Sequence, residues 1–182
     1  MLGFFTKRQK RQEAILPFFG DVVAASRHPR FYLDDEVEDT FEGRFEMLTL
    51  MMVFTLRRLR QLPPPAGEIA QEMVDALFAS LDDGLRRAGI GDIAVPKRMK
   101  KLAQGFYGRA EAYGTALDSQ DEQALRIVLA RNLYAGSREA ADVPARLLTR
   151  LSTLADALAA CDLDALMHGK TLMDAMNREE PV

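Results

Sequence analysis

The sequence predicts an all-α fold, a single-domain irregular bundle of six or seven helices around a buried central helix. Three observations lead there. Apolar residues recur at helical spacing from end to end, no segment joins β-branched enrichment to strict alternation over a strand's length, and caps or breakers punctuate the periodic runs. At 182 residues the chain is about one domain long. The helical part is expected at 13–176, after a basic and apolar N-terminal segment at 1–12 and before a frayed tail at 177–182.

The first helix is expected from about Glu13 to Ser26, stopping before His28 because Pro29 biases the residue ahead of it away from helical angles. An extended acidic stretch, Phe31 to Asp39, follows. Asp39, three residues before Glu42, reads as a capping box that launches a helix through about Arg60, which Pro63, Pro64 and Pro65 end. In that helix Phe41, Phe45, Leu48, Met52 and Leu59 share one stripe, while Met47, Leu50, Val53 and Phe54 cover the other sides. A helix apolar all round is a buried central one.

The next helix, about Glu68 to Ala88, sets Val74, Phe78, Leu81, Leu85 and Ala88 on one face, with Gly89 as its stop. Pro96 suits the first turn of another, in which Met99, Ala103, Phe106, Ala110, Tyr113 and Leu117 form the inner stripe and Lys97 and Lys101 lie opposite. Ser119, three before Glu122, is expected to cap a helix ending near Tyr134. Asp142 with Pro144 opens a helix whose inner face carries Leu147, Leu151, Leu154, Leu158 and Cys161, and a last turn spans about Leu163 to His168.

Composition excludes several function classes. A net charge of −3 gives no global attraction for nucleic acid or anionic lipid, so such contacts need a local patch. The most apolar stretch, Met47 to Leu56, is about half the length of a spanning helix and is bracketed by Glu46 and Arg57. The start, MLGFFTKRQKRQE, puts its apolar residues ahead of its basic ones with no long apolar region, which is not the order of a secretory signal. Together with a single cysteine, this leads to an expected cytoplasmic location, with peripheral contact at the membrane as an option.

Acid–base and metal chemistry have little material. His28 and His168 are the only histidines and Cys161 the only cysteine, so no zinc pattern can be written, and no cofactor or catalytic set is expected. The acidic run Asp34, Asp35, Glu36, Glu38, Asp39 fails as a calcium loop, because the sixth and twelfth positions fall on Asp39 and Phe45 where glycine and a bidentate carboxylate are needed. It reads as a solvated loop. Cys161, on an apolar stripe, reads as a small core residue rather than a nucleophile. Gly89, Ile90, Gly91 follows a helix instead of a strand and lacks the rest of any nucleotide signature.

Two features fit binding. Phe4 and Phe5 beside Lys7, Arg8, Lys10 and Arg11, with no acid in the first twelve residues, suit a membrane surface. Lys97, Arg98, Lys100, Lys101 and Arg109 share one helix, joined upstream by Arg86 and Arg87, and suit an anionic partner.

The motifs Arg27-His28-Pro29-Arg30-Phe31-Tyr32, Asp39-Thr40, Gly43-Arg44-Phe45-Glu46 and Arg57-Arg58-Leu59 resemble the front half of the ubiquinol–cytochrome c chaperone family. Gly89-Ile90-Gly91-Asp92, then Lys97, Met99, Lys100, Phe106 and Tyr107, and a later helix with Leu133 and Tyr134, resemble its second half. The resemblance runs from about residue 16 to 173. The family often has a histidine where Met51 stands, so no role of that histidine carries over. The resemblance implies an all-helical, non-enzymatic assembly chaperone for the cytochrome bc1 complex, whose mitochondrial relatives act at the ribosome's exit and hold newly made cytochrome b with a small partner protein. The implied partners are cytochrome b or another bc1 subunit, with the ribosome and the inner face of the membrane as further contacts and no small-molecule substrate. A ribosome- or membrane-associated adaptor that holds no client is the alternative, and an enzyme with an unrecognised site is a third reading.

Overall fold

The computed structural model describes residues 15–178, and among them every regular element is helical. Helix α1 covers residues 15–26 and is followed by α2 (Pro29–Leu33), α3 (Phe41–Gln61), α4 (Ala66–Arg87) and α5 (Val95–Asp118). After these come α6 (Glu122–Asn132), a 3₁₀ turn (Ala140–Asp142), α7 (Ala145–Ala159), α8 (Leu163–His168) and α9 (Thr171–Asn177).

Helix α3 is the axis of the bundle. It packs against α4, α5 and α7, and Met47, Leu50, Met51, Met52, Val53, Phe54 and Leu59 are buried on all its sides, as expected of a helix with no polar face. Phe18 and Val22 of α1, Phe31 of α2, Met73 and Leu77 of α4, Phe106 and Tyr113 of α5, and Leu147, Leu151 and Leu154 of α7 join one core around it.

Local caps correct several expected boundaries. The stretch expected to be extended from Phe31 begins as helix α2, because Pro29 occupies its first turn and His28 caps it by accepting the Arg30 N–H. Thr40, not Asp39, caps α3, its hydroxyl accepting the Gly43 N–H at 3.1 Å. Asp39 instead binds Arg44. Likewise Asp121 rather than Ser119 caps α6, accepting the Gln123 N–H at 2.9 Å. Ser119 closes α5. Position 43 needs glycine for a steric reason, since a Cβ there would sit 2.0 Å from the Glu38 carbonyl oxygen.

Two faces also differ from expectation. In α4 the buried residues are Ala66, Ile69, Met73, Leu77 and Leu85, whereas Val74, Phe78 and Leu81 are half-buried and Ala88 is exposed. The helix packs on both α3 and α5, which also pack on each other; its Met73 side joins the core, while Phe78 meets Phe106 of α5 edge to face at 5.7 Å. The acidic loop after α2 is more than solvated. Asp35 is fully buried and faces Arg146 and Arg150 of α7, and Tyr134 donates its hydroxyl to the Asp35 carbonyl at 2.7 Å. Helix α9, unassigned in the sequence reading, docks on α7. Asp21 of α1 caps it from a distance, accepting the N–H groups of Leu172 and Met173 at 2.9 and 3.2 Å.

Candidate functional site

An open cleft of about 640 Å³ lies where the start of α3, the end of α4 and the first half of α5 meet. Its apolar lining is Phe41, Phe45, Leu85 and Leu102. Phe45 and Leu85 are buried, Leu102 is half-buried, and Phe41 is 51% exposed at the lip. Phe41 was expected inside the α3 stripe. It is the first residue of the helix and borders the cleft instead.

The inner end of the cleft holds an ion pair. Glu46 on α3 is 5% exposed and Arg109 on α5 is half-buried, with Arg109 Nε 2.6 Å from Glu46 Oε2. Burial raises the Glu46 carboxyl above its ordinary range, and the Arg109 guanidinium opposes that shift. The same guanidinium lies 5.8 Å from the Phe45 ring centroid. Gly105 makes the arrangement fit, because a Cβ there would come within 3.1 Å of the guanidinium and 3.8 Å of the Phe45 ring.

The five basic residues singled out on α5 therefore divide. Arg109 has a carboxylate partner, while Lys97, Arg98, Lys100 and Lys101 are exposed and make no ion pair or side-chain hydrogen bond to any described residue. Arg98 and Lys101 line the cleft. Upstream, Arg86 is held by Asp82 and Asp92 and Arg87 by Asp83, so neither adds free positive charge. The first turn of α5 contains no acid, although a helix N-terminus favours negative side chains and disfavours cations. The arrangement places uncompensated cations where the helix macrodipole disfavours them.

The other singled-out groups stand apart. His28 caps α2, with its pKa lowered mainly by burial. His168 sits beside Asp164 in α8. Cys161, just past the end of α7, is half-buried and contacts the Thr171 hydroxyl at 3.4 Å. Among the described residues no three histidine, cysteine or carboxylate side chains gather to hold a metal, and no helix is long and apolar enough to cross a membrane. Phe4, Phe5, Lys7, Arg8, Lys10 and Arg11 lie outside the described residues.

Against known families, residues 34–173 match the one described as ubiquinol–cytochrome C chaperone. The chain belongs to the ubiquinol–cytochrome c chaperone family. The match takes in the whole cleft, and it begins after the Arg27–Tyr32 motif, which the sequence resemblance had included. Among solved structures, the crystal structure of the Cbp3 homolog from Brucella abortus is similar at 40% identity and a TM-score of 0.77, covering 92% of this chain and 93% of the other. No curated protein matches significantly. Both comparisons agree with the all-helical fold.

Proposed function

We propose that this chain is a non-catalytic assembly chaperone for the cytochrome bc1 complex, and that newly made cytochrome b, or the machinery translating it, binds at the α3–α4–α5 cleft. The observation that carries this reading is the pairing of an apolar floor, Phe45, Leu85 and Leu102, with the cations Arg98 and Lys101, which form no ion pair with a described acid although Glu42 shares the lining. A membrane subunit exposes apolar surface before insertion, and water drives that surface to associate wherever it can. The cleft covers part of it. The rim cations meet anionic groups of the client or of ribosomal RNA and steer the encounter. Lys97 and Lys100 extend the same basic helix, Arg109 holds the inner end of the cleft, and Phe4, Phe5, Lys7, Arg8, Lys10 and Arg11 would supply a peripheral membrane contact.

Affinity purification of the tagged chain from its own cells, with and without the pair Arg98→Glu and Lys101→Glu, tests the proposal. Cytochrome b should co-elute with the natural chain and be lost from the folded variant. Its absence from both eluates would overturn the client, and equal recovery would overturn the cleft. The exposure of four unneutralised cations also favours a second reading, an adaptor at a ribosome or membrane surface that holds no client. Salt-sensitive recruitment without cytochrome b distinguishes it.

A further inference from the structure

The corner between α4 and α5 has a composition that client capture in the cleft does not use. Gly89, at φ 78°, turns the chain out of α4, and the Ala94 and Val95 N–H groups both bond the Gly91 carbonyl, at 2.8 and 3.2 Å. Val95 packs inward, 1% exposed. Ile93, two residues earlier in the same tied turn, is left 97% exposed. One turn into α5 stand Lys97 and Lys100, which do not line the cleft, with Arg98 and Lys101 beside them. Asp82, Asp83 and Asp92, the acids of this corner, are taken up by Arg86 and Arg87. Residues 82–101 hold six bases against three acids, in a chain whose net charge is −3.

We infer that this corner is a contact for an anionic bilayer surface, with Ile93 inserted at headgroup depth and Lys97 and Lys100 against the lipid phosphates. A protruding branched aliphatic side chain flanked by unpaired lysines matches the two forces that hold a protein at such a surface, apolar insertion and attraction to anionic lipid. Nucleic acid fits less well, because a single-strand binder presents aromatic faces for bases to stack on, and isoleucine has none. Since Arg98 and Lys101 border both regions, a docked corner brings the mouth of the cleft close to the membrane.

The chain contains no tryptophan, so Ile93→Trp in the full-length protein places a single, selectively excitable tryptophan at the corner without touching the core. With vesicles of phosphatidylcholine containing about one third phosphatidylglycerol, its emission should shift to the blue and be quenched by brominated lipid, and pure phosphatidylcholine should produce neither change. Lys97→Glu with Lys100→Glu should weaken vesicle binding by about tenfold or more at low salt, with an unchanged circular dichroism spectrum. In the otherwise natural chain, Ile93→Ser should weaken it several-fold. Vesicle binding with no emission shift would place the contact elsewhere, for example in residues 1–12, and would overturn the assignment. Absence of vesicle binding, or salt-sensitive binding to an RNA oligonucleotide alone, would overturn it equally.

Discussion

Arg109 on α5 and Glu46 on α3 form a side-chain bond of 2.6 Å between residues 63 apart in sequence, and this bond closes the inner end of the cleft. Because Glu46 is almost wholly buried, removing its partner leaves a carboxylate out of water with nothing to balance it. Arg109→Met should lower stability by about 2 kcal/mol, less than for a fully buried pair because Arg109 keeps part of its surface in solvent. Adding Glu46→Gln should recover much of that loss. Urea unfolding of the two single variants and the double variant measures the coupling, and additive losses would show that the pair contributes nothing.

Gly43→Ala tests the start of α3. The new methyl group would meet the Glu38 carbonyl oxygen at 2.0 Å, a backbone atom that no rotamer change can move aside. Displacement of the 34–40 loop should cost about 1–3 kcal/mol, or a fall in Tm of roughly 2–10 °C for a chain of this size. Thermal unfolding followed by circular dichroism reads it directly.

Burial pushes the Asp35 carboxyl up to about 6, and the nearby Arg150 and Arg146 reverse only part of that shift. The folded chain thus holds this proton more tightly than the unfolded chain, in which the carboxyl has its ordinary value. The contribution of Asp35 to stability is therefore fully present below pH of about 4 and is lost as pH rises through about 6. Asp35→Asn removes the titration, so the difference in unfolding free energy between natural chain and variant should change by up to about 3 kcal/mol across that window. Asp21 and Glu46, also raised by burial, titrate alike in both proteins and cancel. A pH-independent difference would contradict the assigned shift.

Asp21→Ala removes the distant cap of α9 and should cost about 1–2 kcal/mol. Amide exchange should speed up most at residues 171–177 and little in α3. Uniform acceleration would mean that α9 unfolds only with the whole domain.

Much of the fold was legible because helical period and breakers are local signals. The all-round apolar character of α3 marked it as the axis, Pro63–Pro65 and Gly89 marked the stops, and Pro96 opened α5. What periodicity could not show were the long-range partners. Asp35 looked like part of a solvated acidic run because its arginines lie 111 and 115 residues away, and α9 went unassigned because its cap is supplied by α1. A trace of the first was present: Arg150 occupies a core-facing position in the Leu147–Leu151–Leu154 stripe, and a buried arginine requires an acid. The basic face of α5 was likewise readable, since a run of cations in one helix is visible as written. The cleft beside it was not, because Phe41, Leu85 and Leu102 come from three helices, and Arg109 could not be separated from the free cations before Glu46 was seen to hold it.

Whether the α3–α4–α5 cleft receives newly made cytochrome b is tested most directly by site-specific photo-crosslinking. A photoreactive phenylalanine analogue replaces Phe41 at the lip of the cleft, and the control replaces Ile127, which is 52% exposed on α6 and does not line the cleft. In growing cells the Phe41 probe should form a crosslinked band containing cytochrome b, and the Ile127 probe should form none. A Phe41 probe that captures no cytochrome b, or capture of equal strength from both positions, would contradict the account.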